Sequence, residues 1–256
     1  MPDIIVEQDG PVLLLRLNRP DRLNAFSEPM LKGMTEALNE ARHDKGIRVV
    51  VLSGEGRVFS AGGDVKNMSE STPDLVYEHI DVLIETVLAM TSLEKPIITA
   101  VQGVAAGAGF NLALASDLVF ASEDARFMMS FVHVGLISDG GGLWFLPRAI
   151  GPHRAKELFF LGDSISADTA LEWGIVNRVL PLATLQQDSL DWAHRLAQRP
   201  QWVLAQTKRL MSHAFETSLP DMLRQEQITQ AVLAATHDHQ EGVRAFLEKR
   251  PPQFSD

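Results

Sequence analysis

Three short runs made almost wholly of β-branched and other apolar residues, Ile47–Leu52, Ile97–Val101 and Leu118–Ala121, constrain the fold more than any other feature of the chain. A strand with one wet face alternates apolar and polar residues, whereas a strand covered on both faces reads as an unbroken apolar run. The runs therefore predict strands of a parallel sheet with helices on both sides. Helical segments lie where that architecture needs them. Ser27 precedes a stretch in which Met30, Met34, Leu38 and Ala41 recur at helical spacing up to a stop at Lys45-Gly46. Residues 73–92 carry Leu75, Val76, Ile80, Leu83, Ile84, Val87 and Leu88 as one amphipathic stripe. Ahead of these, residues 3–7 and 12–17 flank Gln8-Asp9-Gly10-Pro11, the pattern of a hairpin. The class is α/β.

After Val179 the strand pattern gives way to four helical segments, 182–198, 201–215, 220–235 and 239–249, with Pro181, Pro200 and Pro220 at starts or stops. Trp192, Trp202, Leu210, Phe215, Leu223, Ile228 and Phe246 give these segments more apolar surface than a helical tail can leave in water, so they are expected to pack between subunits. The division is one of composition: a core at residues 1–195 and a helical segment at 196–256.

With 256 residues, 45% of them apolar, the chain can bury a large core. A net charge of -10 with scattered Arg and Lys opposes a nucleic-acid partner, which would need a dense basic stripe. The absence of cysteine excludes disulfides, thiolate catalysis and Cys-ligated metal. The apolar runs are too short to span a bilayer, and no basic and apolar leader follows Met1, so a cytoplasmic protein that does not enter membranes is expected.

Two glycine turns follow the predicted strands. Phe59-Ser-Ala-Gly-Gly-Asp64 follows the first run and precedes a polar stretch that reads as a short helix. Gly103-Val-Ala-Ala-Gly-Ala-Gly109 follows the second and opens an apolar helix through residues 112–115. Small residues let backbone approach a ligand, and consecutive N–H groups in such turns can meet at one oxygen. Each turn alone is equally well explained as tight packing or a helix cap. Neither contains the GxGxxG of a dinucleotide fold.

Together with Leu17-Asn-Arg-Pro-Asp-Arg-Leu-Asn-Ala25, and in the same order and spacing, the two turns resemble the signature segments of the enoyl-CoA hydratase/isomerase (crotonase) superfamily. The resemblance extends from the first hairpin to Glu241–Arg250. It implies a ClpP-like spiral of ββα units with a C-terminal helical trimerisation region, assembled as a homotrimer or homohexamer. It also implies an acyl-CoA thioester substrate, with no metal and no cofactor beyond the CoA of the substrate. By the same resemblance Gly63 and Ala108 supply the main-chain N–H groups for the thioester carbonyl. Arg22, Leu23, Ala25, Ala61 and Asp64 line the CoA passage, and Phe246 and Lys249 reach CoA from a neighbouring subunit.

Hydratases of the family carry two glutamates where this chain has Asn111 and Phe131, neither of which is a general base. Asp139, in Gly135-Leu-Ile-Ser-Asp-Gly-Gly-Gly142, occupies a position that is acidic in several isomerases and in aroyl-CoA dehalogenases of the family. The segment from Phe127 to Arg148 resembles the isomerases of ring-1,2-epoxyphenylacetyl-CoA, which are also associated with moving an enoyl double bond. An acyl-CoA isomerase with Asp139 as proton shuttle is the expectation. Hydration with altered acids, or CoA binding with weak turnover, is the alternative. Phe131, Trp144 and Phe145 are expected to surround Asp139 and raise its pKa, with Asn111 positioning substrate or water. On the residues alone Asp139 is a helix cap before Gly140. Ser60 or Ser130 with His133 and Asp139 has the composition of a hydrolase triad but no nucleophile elbow. His237 and His239 cannot share a helical face as zinc ligands, and Asp117 reads as a structural turn residue.

Overall fold

The computed structural model describes residues 1–64 and 72–255. The helical stretch expected directly after Asp64 lies outside them. A hairpin of β1 (Ile4–Asp9) and β2 (Val12–Leu17) opens the chain. Its strands pair through Asp9 and Val12, so the turn is tighter than the four residues expected, and Gly10 adopts φ +54° to make it. α1 (Glu28–His43) follows, its N-terminus closed by Ser27, whose hydroxyl accepts the Met30 N–H.

The β-branched runs become β3 (Val49–Gly54), β4 (Ile97–Val101) and β6 (Leu118–Ser122). With β9 (Arg178–Leu180) they complete a six-stranded sheet in the order β1-β2-β3-β4-β6-β9, parallel from β2 onward. Both faces are buried, as continuous runs require. Val50, Leu52, Ile97 and Val101 pack beneath α1 and α2 (Pro73–Ser92), while Val49, Val51, Ile98, Ala100 and Phe120 meet α7 (Leu185–Ala197). Each valine, leucine, isoleucine or phenylalanine among them contributes about 1.5–3 kcal/mol by leaving water.

After each central strand the chain crosses to a smaller ladder before its helix. Ser60, after β3, bridges Ala105 of β5 (Val104–Ala106), which itself follows β4, and β7 (Arg126–Met128) follows β6 and pairs with β5. The third member, β8 (Ser164–Ser166), runs antiparallel to β7. The ββα repetition makes the chain a spiral, and it puts the two glycine turns side by side. Gly103–Gly109 therefore does more than open a helix: it contains β5 and then turns at Gly107 into α3 (Ala108–Leu114). α4 (Gly142–Ile150), α5 (Pro152–Leu161) and α6 (Ala167–Glu172) fill the span up to β9.

The C-terminal helices are α7, α8 (Gln201–Ser212), α9 (Leu219–Leu233) and α10 (His237–Glu248). Trp192 does not belong with the apolar residues expected between subunits. It lies on the chain's own sheet, its ring edge-on to Phe120 at 5.8 Å, with the guanidinium groups of Arg178 and Arg195 4.1 and 4.2 Å from its centroid. Trp202, Phe215, Leu223, Ile228 and Phe246 are exposed in the single chain. No helix among the described residues is long and apolar enough to cross a membrane.

Candidate active site

The two glycine turns are joined by main-chain bonds: Phe59 N–H to Gln102 O (2.8 Å), Ser60 N–H to Val104 O (3.1 Å) and Ala106 N–H to Ser60 O (2.9 Å). Their approach leaves no room for side chains. Gly62 stands at φ +83°, and a Cβ there would lie 2.5 Å from Ala106 O and 2.9 Å from Ala108 N. On the other turn, a Cβ at Gly109 would lie 2.7 Å from Ser60 O. Just beyond this contact, Gly63 and Ala108 face one cavity of about 850 Å³. Among the described residues neither N–H meets an acceptor. Two unpaired main-chain donors on one wall can hold an oxygen that gains negative charge.

Asp139 lies on the wall of the same cavity. It does not cap a helix: α4 begins at Gly142 with Gly141 as its cap, and no side chain accepts there. Asp139 is half-buried, but its Oδ1 is closed off from solvent without a hydrogen-bond partner among the described residues. Burial pushes its carboxyl pKa up to about 6, offset in part by a bond from its own main-chain N–H. A carboxylate stripped of water and given no compensating charge holds its proton more tightly.

The aromatic shell expected around Asp139 is not what lines the cavity. Phe131, in a 3-10 turn over Ser130–Val134, packs within 3.7 Å of where a Cβ of Gly107 would stand. Trp144 stacks on Arg148 at 3.9 Å and meets Phe145 edge-on at 4.9 Å, and Phe145 presses on Gly141. The walls near Asp139 are instead aliphatic: Leu83 and Ile80 of α2, with Val134, Leu136 and Ile137. The stripe of α2, read as that of an amphipathic helix, thus serves both core and cavity. Asn111 is likewise off the wall. It is fully buried on α3 and reaches neither substrate space nor solvent.

Of the residues assigned to the CoA passage, Asp64 lies on the cavity wall and pairs with Arg19 at 3.5 Å. Arg19 was not singled out from the sequence. It also donates to Ala25 O (2.6 Å) within the first signature segment, so that its pair with Asp64 ties that segment to the first glycine turn. Leu23, at φ +53°, accepts the Ala61 N–H (2.9 Å), and Arg22 is exposed beside it. Phe246 is 84% exposed and Lys249 ends α10 in a left-handed conformation, so within one chain neither approaches the cavity. The hydrolase triad is absent. Ser60 is fully buried and donates to Asn24 O, and His133 Nε2 sits 3.1 Å from Gly162 O. Asp117 is structural, accepting from Ile97 N–H (2.7 Å) and Lys208 (2.8 Å). No group of three metal-ligating side chains occurs among the described residues, His237 and His239 included.

Fold and site together define a spiral of ββα units in which Gly63, Ala108 and Asp139 line one cavity. The model of the enoyl-CoA hydratase/isomerase family matches residues 7–256, and the chain belongs to that family, which has the crotonase fold. It is 39% identical to 1,2-epoxyphenylacetyl-CoA isomerase of Escherichia coli (strain K12), covering 100% of this chain and 99% of that protein. It is 36% identical to 2,3-dehydroadipyl-CoA hydratase of the same organism, over 99% of each. The crystal structure of an enoyl-CoA hydratase from Polaromonas sp. JS666, 36% identical, superposes with a TM-score of 0.96 over 98% of this chain and 99% of that one.

Proposed function

We propose that this chain is an acyl-CoA isomerase in which Asp139 carries a proton between two carbons of a CoA-bound acyl group. The observation that carries the proposal is the Asp139 carboxyl, its Oδ1 buried without a partner among the described residues and its pKa held at about 6, on the wall that Gly63 and Ala108 also line. The thioester carbonyl accepts from the two N–H groups, each worth about 3 kcal/mol as the oxygen becomes an enolate. With a 3-enoyl thioester, Asp139 takes a proton from C2, the C3=C4 double bond moves to C2=C3, and Asp139 returns the proton at C4. The enzyme ends as it began, and no metal or redox cofactor takes part. A carboxyl with a pKa near 6 suits both halves of this exchange. The acyl group is either a ring-1,2-epoxyphenylacetyl group or an aliphatic 3-enoyl chain.

Arg22, Leu23, Ala25, Ala61 and Asp64 form the CoA passage in this reading. Residues 196–256 assemble a cytoplasmic homotrimer or homohexamer in which Phe246 and Lys249 of a second copy complete the passage. The exposed apolar side chains of α8 to α10 support that assembly.

The test is a parallel assay of wild type and Asp139→Asn on a 3-enoyl-CoA and a 2-enoyl-CoA, with products separated by chromatography. Isomerised product from wild type should be lost in Asp139→Asn while thioester binding persists. Equal formation of 3-hydroxyacyl-CoA from the 2-enoyl substrate by both proteins would make the chain a hydratase and refute the role of Asp139.

A further inference from the structure

Asn111 stands one turn along α3 from Ala108, which lines the cavity, and its side chain leaves the helix toward the turn that carries Asp139. Nδ2 donates to Asp139 O at 2.7 Å and to Ser138 Oγ at 3.0 Å. The orientation of the amide follows from its partner, because a main-chain carbonyl only accepts and the atom facing it must be the nitrogen. We propose that Asn111 is a positioning residue for the isomerisation, bracing the Asp139 turn at a fixed distance from the helix that presents the Ala108 N–H. The inference rests on the reading of Asp139 as proton carrier.

The turn has reason to need a brace. Gly135, Gly140 and Gly141 all take positive φ (68°, 53° and 87°), and three glycines restrain the backbone little. Asp139 O takes further bonds from Gly142 N–H (3.2 Å) and Ser138 Oγ (3.5 Å), so the carbonyl directly behind the reacting side chain is held by three donors. Gly142 has also been left bare for Asn111. A Cβ there would overlap Asn111 Oδ1 and lie 2.5 Å from Ser138 Oγ. A carboxylate at 111 would supply no N–H and would set its own oxygen against Asp139 O. The isosteric acid, if protonated, offers one donor where the carboxamide serves two acceptors.

The experiment measures kcat and KM separately for conversion of a 3-enoyl-CoA to its 2-enoyl isomer by wild type, Asn111→Asp, Asn111→Ala, Ser138→Ala and Asp139→Asn. Both Asn111 variants should lose about 10- to 100-fold in kcat, the scale of an ångström of misplacement. Their KM should stay within about threefold, because other groups bind the thioester. Ser138→Ala, which removes one acceptor of the pair, should lose less than either. Asn111→Asp keeps the shape of the side chain and decides the matter if the alanine variant does not fold. A kcat for Asn111→Asp within about twofold of wild type, or a change in KM alone, overturns the inference. Wild-type isomerisation by Asp139→Asn overturns the reading of Asp139 and this inference with it. An inactive Asp139→Asn beside a fully active Asn111→Asp overturns the inference alone.

Discussion

The two ends of the six-stranded sheet are finished in opposite ways. Beyond the carboxyl ends of β3 and β4, donors are left open: among the described residues the Gly63 and Ala108 N–H groups have no acceptor and Asp139 has no counter-charge. Near the amino ends of the same strands the carbonyls of helix C-termini are closed by cations. Lys95 donates to Ala41 O and to Asp44 O (2.6 Å) after α1, Arg42 to Ser92 O (3.1 Å) at the end of α2, and Arg48 to Ala197 O (3.0 Å) at the end of α7. Lys208 adds Met90 O and Lys95 O, both at 3.2 Å. A cation at a helix C-terminus meets the negative end of the helix dipole. The far end therefore spends its charged groups on stability, and the cavity end keeps its polar groups free for a ligand.

Changes at the cavity end should cost activity first. Gly62→Ala should be the most damaging, because its Cβ would press on Ala106 O and Ala108 N at a φ that alanine rarely adopts. Loss of about 100-fold or more in kcat/KM is expected from displacement of one donor, with a lowered melting temperature, read by steady-state kinetics and thermal unfolding. An active, stable Gly62→Ala would break the contrast between the two ends.

Asp139 sharpens it. Its raised pKa means that the folded state holds a proton the unfolded state releases near its ordinary value, so stability falls as the pH climbs from about 4 through 6 and stays lower above. Asp139→Asn should therefore be more stable than wild type by up to about 2 kcal/mol at pH 8 and no more stable at pH 4, by denaturant unfolding at each pH. Since the carboxylate is the base, kcat/KM of wild type should fall as the pH drops below about 6. A profile flat down to pH 5 would remove Asp139 from the proton transfer.

At the far end the order of effects reverses. Lys208→Met should cost about 1–2 kcal/mol, because it strands Asp117 and two carbonyls, while kcat stays within about twofold of wild type. Arg42→Met should cost less, about 0.5–1 kcal/mol. A large fall in kcat in either variant, with stability unchanged, would show that the two ends are not independent.

How much of this was legible in the sequence depended on the range over which each feature is specified. Ile97–Val101 announces a strand buried on both faces because Thr99 alone interrupts its apolar residues, and the structure covers both faces. The three-residue strands β5, β7 and β8 are too short to show any period, so the second ladder was not foreseen. Asp139 came forward through resemblance, not through its neighbours, since an aspartate before glycines ordinarily caps a helix. Trp144 and Phe131 were placed beside it because aromatic residues are the obvious source of desolvation, whereas Leu83, Leu136 and Ile137 line the wall. The tasks of Asn111 and Arg19 could not be read locally. Asn111 acts on residues 27 and 28 positions away, and Arg19 on one 45 positions away.

The bare α-carbon of Gly142 ties two distant positions into one inherited unit. While Asn111 holds its carboxamide where it does, no side chain fits at 142, and once a side chain is there the carboxamide must leave. Substitution at either position removes the reason for the residue at the other. In a lineage of such chains a side chain could appear at 142 only once 111 had changed, although 30 other residues separate the two sites along the chain.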